Sequence, residues 1–201
     1  MPKIRLTKTE MKRQRDALRQ FTRFLPTLQL KKQQLQMEMR KCEERRAELA
    51  REEAAAQAGL EPWVALFADP GAADWLAGRL RVTAVEADRL NIAGVEVPVF
   101  KNIRFQVEPY DLFLAAPWLD DALRLLQRLV ELKVRGDLLA EQYRRLAHEL
   151  RITTQRVNLF EKVKIPEAKE NIRVIQINLG DQQTAAVGRG KIAKRKLQEV
   201  A

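Results

Sequence analysis

Gly188, Arg189, Gly190 and Lys191 make up the run in this chain closest to a phosphate-binding loop. Such a loop needs an earlier glycine, and a Ser or Thr after the lysine to bind magnesium. Ala185 and Ile192 occupy those positions, so nucleotide chemistry is not expected there. His148 is the only histidine. It falls off the apolar spacing of its segment, so a solvated helix residue is expected rather than a general base or metal ligand. Cys42 falls on the apolar spacing, where a thiol acts as a small packed hydrophobe. Glu43 with Glu44, and Asp120 with Asp121, are adjacent in sequence and point to different sides of a helix, so neither pair forms an acid–base couple. No catalytic residue, cofactor or metal site is expected, and the chain does not read as an enzyme.

What these residues sit on is more informative. From Met11 the apolar or small residues recur at Leu18, Phe21, Leu25, Leu28, Leu35, Met39, Cys42 and Leu49. This is the alternating three-and-four spacing of a heptad seam, with Gln14, Lys32 and Arg46 as polar exceptions. It predicts one amphipathic helix of about 50 residues, roughly 75 Å long, kinked at Pro26. A second seam starts after Pro117 and runs through Ala122, Leu125, Leu129, Leu132, Gly136, Leu139, Tyr143, Leu146, Leu150, Thr153, Val157 and Phe160. Two seams in one chain should bury each other, and the simplest arrangement is an antiparallel left-handed coiled-coil hairpin.

Between the helices the pattern changes. Gly59 to Pro62 and the run Ala68, Asp69, Pro70, Gly71 punctuate short helical pieces carrying Trp63, Leu66, Phe67, Trp75 and Leu76. From Arg81 the apolar period becomes two, which predicts a β-hairpin over about 81–99. Asp88 to Asn91 is the expected turn, and Pro98 should end the second strand or confine it to an edge. The fold class is therefore mainly α. A long N-terminal helix (1–58) and a long C-terminal helix with a basic tip (117–201) flank a small insertion (59–116) of short helices and the hairpin.

Past Phe160 the seam continues at Lys164, Ala168, Ile172, Ile175 and Leu179. The repeated four-residue step is a stutter, expected to unwind the supercoil locally, and Pro166 inside it predicts a hinge or a break. If 9–58 pairs with 117–166, about 30 residues remain unpaired, roughly 45 Å if helical. They end in the basic run from Gly188.

The net charge of +10 over 201 residues favours acidic partners without choosing among them. One cysteine excludes an intrachain disulfide and fits a reducing compartment. No apolar run is long enough to span a membrane and the N-terminus lacks a signal-peptide core, so a soluble, cytoplasmic chain is expected. A basic coiled-coil protein binding nucleic acid, or a scaffold, is the rival reading. Against it, the Lys and Arg residues interleave with Glu along both helices, and no aromatic platform accompanies them. A membrane-surface adaptor is the third reading, although the apolar stripe of Val187, Ile192 and Leu197 is thin for it.

Arg156, Val157 and Asn158, then Ile165 and Pro166, then an Ile-rich helix ending in a Lys/Arg cluster, resemble the C-terminal region of the D subunit of V-type ATPases and ATP synthases. The segment from Asn91 to Pro98, NIAGVEVP, is similar to that family's central signature. The resemblance covers the whole chain in layout. It implies a central rotor shaft that couples ATP hydrolysis or synthesis to rotation of the membrane ion-translocating ring and performs no bond chemistry itself. The implied partners are the catalytic and regulatory subunits of the soluble sector, a small central-stalk subunit and a funnel-shaped subunit on the membrane ring. Neither nucleic acid nor direct membrane insertion is implied. The chain would be cytoplasmic, peripheral on the inner face of the cell membrane within the complex. Arg156, Asn158, Lys191, Lys194, Arg195 and Lys196 would face partners, while Leu18, Phe21, Leu25, Leu28, Leu35, Leu129, Leu132, Leu139, Leu146, Val157 and Phe160 would form the helix-pair core.

Overall fold

The computed structural model describes residues 4–59, 78–111 and 118–200. Helix α1 spans Lys8–Ala58, strand β1 Leu80–Ile92, strand β2 Val95–Val107 and helix α2 Leu119–Asn158. A π-helical turn, Leu159–Lys164, leads directly into helix α3, Ile165–Val200. The short helices expected around Trp63 and Trp75, and the helix-start proline Pro117, lie outside the described residues. The chain divides into two compact units, Gln33–Arg151 and the pair Met1–Lys32 with Ile152–Ala201.

In the unit built from the two chain ends, α1 starts on a cap. The Glu10 N–H donates to Thr7 Oγ1 at 3.3 Å, and Glu10 itself stands in the first turn, where the helix dipole favours an acid. Phe21 meets Phe160 with ring centroids 5.1 Å apart, and Asn171 Nδ2 donates to Gln14 Oε1 at 3.4 Å. The later residue on one helix faces the earlier one on the other, so the helices of this pair run antiparallel. Val157, Ala168 and Ile175 are buried. Pairing therefore extends beyond Pro166, and the unpartnered segment is shorter than the spacing of the prolines suggested. From Gly180 to Gln198 every residue is exposed apart from half-buried Gly188.

Neither proline breaks its helix. Pro26 lies within α1 on an exposed position, where the backbone acceptor it leaves behind is close to solvent. Pro166 follows the π turn, and the expected break is replaced by that wide turn. The reason is arithmetic: six seam steps of 3.5 residues need about 21 residues. The seam positions Val157 and Leu179 lie 22 apart. The surplus residue is held in the wide turn, where the Ile165 N–H donates to Phe160 O, five residues back. Beyond the turn the seam positions Ala168 and Ile175 are buried.

In the unit Gln33–Arg151, α1 and α2 are again antiparallel. Arg128 Nη2 donates to Glu52 at 3.0 Å, Tyr143 Oη to Glu43 at 3.1 Å, and Cys42 Sγ to Leu139 O at 3.6 Å. Arg46, a polar exception on the seam, stays exposed and lays its guanidinium 5.4 Å from the Tyr143 ring centre. At Gly136 an added Cβ would lie 3.5 Å from Leu49, an ordinary contact, so this glycine marks a close but not forced approach.

β1 and β2 pair antiparallel from Leu80 opposite Val107 to Ile92 opposite Val95. The hairpin is longer than expected, and its turn is Ala93–Gly94 rather than Asp88 to Asn91. Ala93 has φ 51° and Gly94 φ 83°. A two-residue loop with both central residues at positive φ matches the twist of the strands, and Asn91 Oδ1 accepts the Gly94 N–H at 2.9 Å. Asp88 to Asn91 instead belong to β1. Pro98 lies inside β2 because in a two-stranded ribbon each strand has a free edge that tolerates a missing donor.

The hairpin is anchored to the helices. Leu35, Val97 and Leu146 form a buried cluster, flanked by Met39, Ile92, Val95 and Leu150. Gln142 Nε2 donates to Pro98 O, and Arg145 Nη1 to Glu96 O at 3.0 Å. A second cluster, Leu119, Ala122 and Leu123, packs against Leu80, Tyr110 and Trp118. Tyr110 Oη there donates to Asp120 Oδ1.

Candidate functional site

The residues expected to pack are graded rather than uniform. Leu35, Leu132, Leu146 and Val157 are buried; Leu18, Phe21, Leu25, Leu28, Leu129, Leu139 and Phe160 are half-buried. A pair of helices covers each seam from one side only, and full burial is reached where a third element or an offset ridge closes it.

The residues expected to face partners are all exposed. Arg156 and Asn158 stand just before the π turn, two residues apart, which places them on roughly opposite sides of a helix with 3.6 residues per turn. Lys191, Lys194, Arg195 and Lys196 lie on α3, about 50 Å along the helix from Arg156 at 1.5 Å per residue. The structure thus does not bring these six into one site. Lys191 shares a face with Lys194 and Arg195, three and four residues on, while Lys196 faces elsewhere. Val187, Ile192 and Leu197 are exposed and five residues apart, so they wind round the helix rather than forming a stripe. The end of α3 is therefore basic with scattered apolar residues on every side.

Apolar residues off the seam form a further surface that seam spacing did not single out. Leu159, Val163, Val174 and Ile177 are exposed. Val163 and Val174 are eleven residues apart, three helical turns, and so share a side. Their signal in the sequence was apolar residues at non-seam positions.

The residues with chemical potential are accounted for. Gly188, Arg189, Gly190 and Lys191 are inside α3, where the backbone N–H groups belong to the helix ladder and cannot cradle a phosphate. Burial pushes the Cys42 thiol up, against the opposing pull of Arg46 and Arg45, which leaves it protonated and unreactive at neutral pH. His148 is exposed on α2. Hydrogen bonds from Arg145 and Arg144 hold the Glu141 carboxyl below its ordinary value, and the bond from Tyr143 to Glu43 raises the Tyr143 phenol. Among the described residues no group of three or more His, Cys, Asp and Glu is placed to hold a metal ion, and no helix is long and apolar enough to cross a membrane. An open cleft of about 750 Å³ beside the N-terminal residues is lined by Arg5, Glu10, Arg13, Gln14, Lys164 and Asn171. Its charges are mixed, with Arg13 against Glu10 at 3.8 Å and Lys164 against Glu167 at 3.3 Å.

Fold and surface together define a long-helix protein with exposed helix faces and a basic helical end. The family model for the ATP synthase D subunit matches residues 10–195, and the chain belongs to that family, as a subunit of a V-type ATPase. It is 45% identical to the V-type ATP synthase D subunit of Borreliella burgdorferi over 198 residues, covering 98% of this chain and 96% of the relative. The V-type ATP synthase D subunits of Chlamydia caviae and Chlamydia pneumoniae are 36% and 33% identical, over 98% and 97% of this chain and 94% and 93% of their own lengths.

Proposed function

We propose that the chain is the central rotor shaft of a V-type ATPase or ATP synthase. In this reading it couples ATP hydrolysis or synthesis in the catalytic ring to rotation of the membrane ion-translocating ring. The observation that carries the reading is the last part of α3, which is helical yet exposed from Gly180 to Gln198, half-buried Gly188 apart, and basic at its end. A helix extended beyond its intrachain partner has a surface available for other subunits on every side. The shaft would break or form no bond itself. A helix pair has no rotational symmetry that matches a ring of catalytic sites, so each site meets a different face and its nucleotide affinity changes as the shaft turns. Such coupling is reciprocal: whatever nucleotide binding does to the angle of the shaft, the angle does to nucleotide binding.

The partners in this reading are the catalytic and regulatory subunits around the shaft, a small central-stalk subunit, and a funnel-shaped subunit on the membrane ring. The chain would be peripheral at the inner face of the cell membrane. Deleting Gly188–Ala201 tests the proposal. The residues from Lys191 to Gln198 are all exposed, so the melting temperature of the isolated chain should hold. Ion transport per ATP hydrolysed by the assembled complex should fall. Unchanged coupling in that truncation refutes the role of the basic end.

A further inference from the structure

Leu159–Lys164 is the one stretch of the described helices that leaves α geometry, and three weaknesses coincide there. It holds the surplus residue of the seam, its bonds reach back five residues, and none of its side chains is buried. Pro166 follows two residues later and can donate no backbone bond. In regular α geometry its ring would crowd the carbonyl four residues back, that of Lys162, which lies inside the wide turn. The segments on either side are well held, by Thr153 and Val157 before it and Ala168 and Ile175 after it, all buried. Phe160 against Phe21 is the aromatic contact the turn itself makes across the pair.

We propose that this turn is a torsional joint, the place where the C-terminal helix opens and twists first. A π turn is a helix with one residue too many, and the π and α forms differ there by roughly 100° of rotation, one residue's worth. The buried residues on both sides transmit twist, and the turn between them, none of whose side chains is buried, yields. The mechanical role rests on the shaft reading; local opening does not.

Hydrogen exchange of the full chain tests opening directly. Amides from Phe160 to Ile165 should exchange about tenfold or more faster than those around Val157 and Ile175, because opening there exposes no buried side chain. Equal protection overturns the joint. Removing the surplus residue is the second test. Deletion of Glu161 together with Pro166→Ala leaves about 21 residues between the seam positions, so the turn should become α-helical. The melting temperature should then hold or rise, and exchange should slow to the level of its flanks. Deletion of Arg23, which lies in a stretch of α1 with no surplus to absorb it, should instead lower the melting temperature by throwing Leu18 and Gln14 off the seam. If the Glu161 deletion is as damaging as the Arg23 deletion, the surplus-residue account is wrong. In the assembled complex, removing the joint should change ion transport per ATP hydrolysed. Unchanged coupling there overturns the mechanical role alone, while truncation of Gly188–Ala201 judges the shaft reading independently.

Discussion

Truncation of Leu146 to Ala probes the point where α1, α2 and β2 meet. Leu146 is 1% exposed, and Leu35 and Val97, both 0% exposed, close over it from the other two elements. Large-to-small substitutions at buried leucines cost about 2–5 kcal/mol, rising with how much of the cavity stays open. Three separately anchored elements cannot all collapse onto the missing methyls, since Gln142 and Arg145 hold β2 by its carbonyls. The expected cost is therefore in the upper half of that range, about 4 kcal/mol. At about 2–4 °C per kcal/mol for a chain of this size, the melting temperature should fall by about 8–16 °C. Urea unfolding followed by circular dichroism gives the free energy. Leu129→Ala and Leu139→Ala, at half-buried positions on the same seam, provide the scale and should cost about 1–2 kcal/mol, below the fully buried range. Val97→Ala alone and in combination with Leu146→Ala should show a coupling energy of about 0.5 kcal/mol or more, because the two changes share a cavity. A loss below about 1 kcal/mol at Leu146, or one no larger than at Leu129, would refute the three-element packing.

Gly94→Val places a β-branched residue at φ 83°, and should cost about 1–3 kcal/mol in the same urea assay. No measurable loss would mean that the turn lies elsewhere. Glu141→Gln tests the acid held by Arg145 and Arg144. A carboxyl depressed in the folded chain contributes stability above its unfolded pKa of about 4.3, and that contribution is lost as pH falls through the lower folded value. The variant should thus be less stable than the parent at neutral pH and equal to it at the acid end; a difference that persists unchanged into acid would contradict the ion-pair account.

Much of the fold follows from local pattern. The three-and-four spacing from Met11 and from Ala122 predicts two long helices because each side chain's direction depends only on its own place in the helical repeat. The same holds for the seam positions beyond Pro166, where Ala168 and Ile175 are buried. Near the end of α3 the Lys and Arg cluster is visible in the sequence, and Lys191 to Gln198 are exposed. The hairpin turn was misplaced because Asp88 to Asn91 have turn composition, whereas backbone sign is decided at Ala93 and Gly94 by the pairing of Ile92 with Val95. The capping threonine, Thr7 with Glu10 three residues on, is a signal that the sequence itself carries.

By itself, then, the sequence determined the helices, their apolar faces and the period-two character of the insertion, since these are properties of one residue relative to its near neighbours. Only tertiary structure decided which seam residues are fully buried, that Val97 of the hairpin fills the space between Leu35 and Leu146, and that the surplus residue before Pro166 sits in a π turn. Those outcomes depend on a facing surface: the energy of leaving Ala168 and Ile175 in place against the opposite helix outweighs the cost of one widened turn, and that comparison cannot be made from one helix alone.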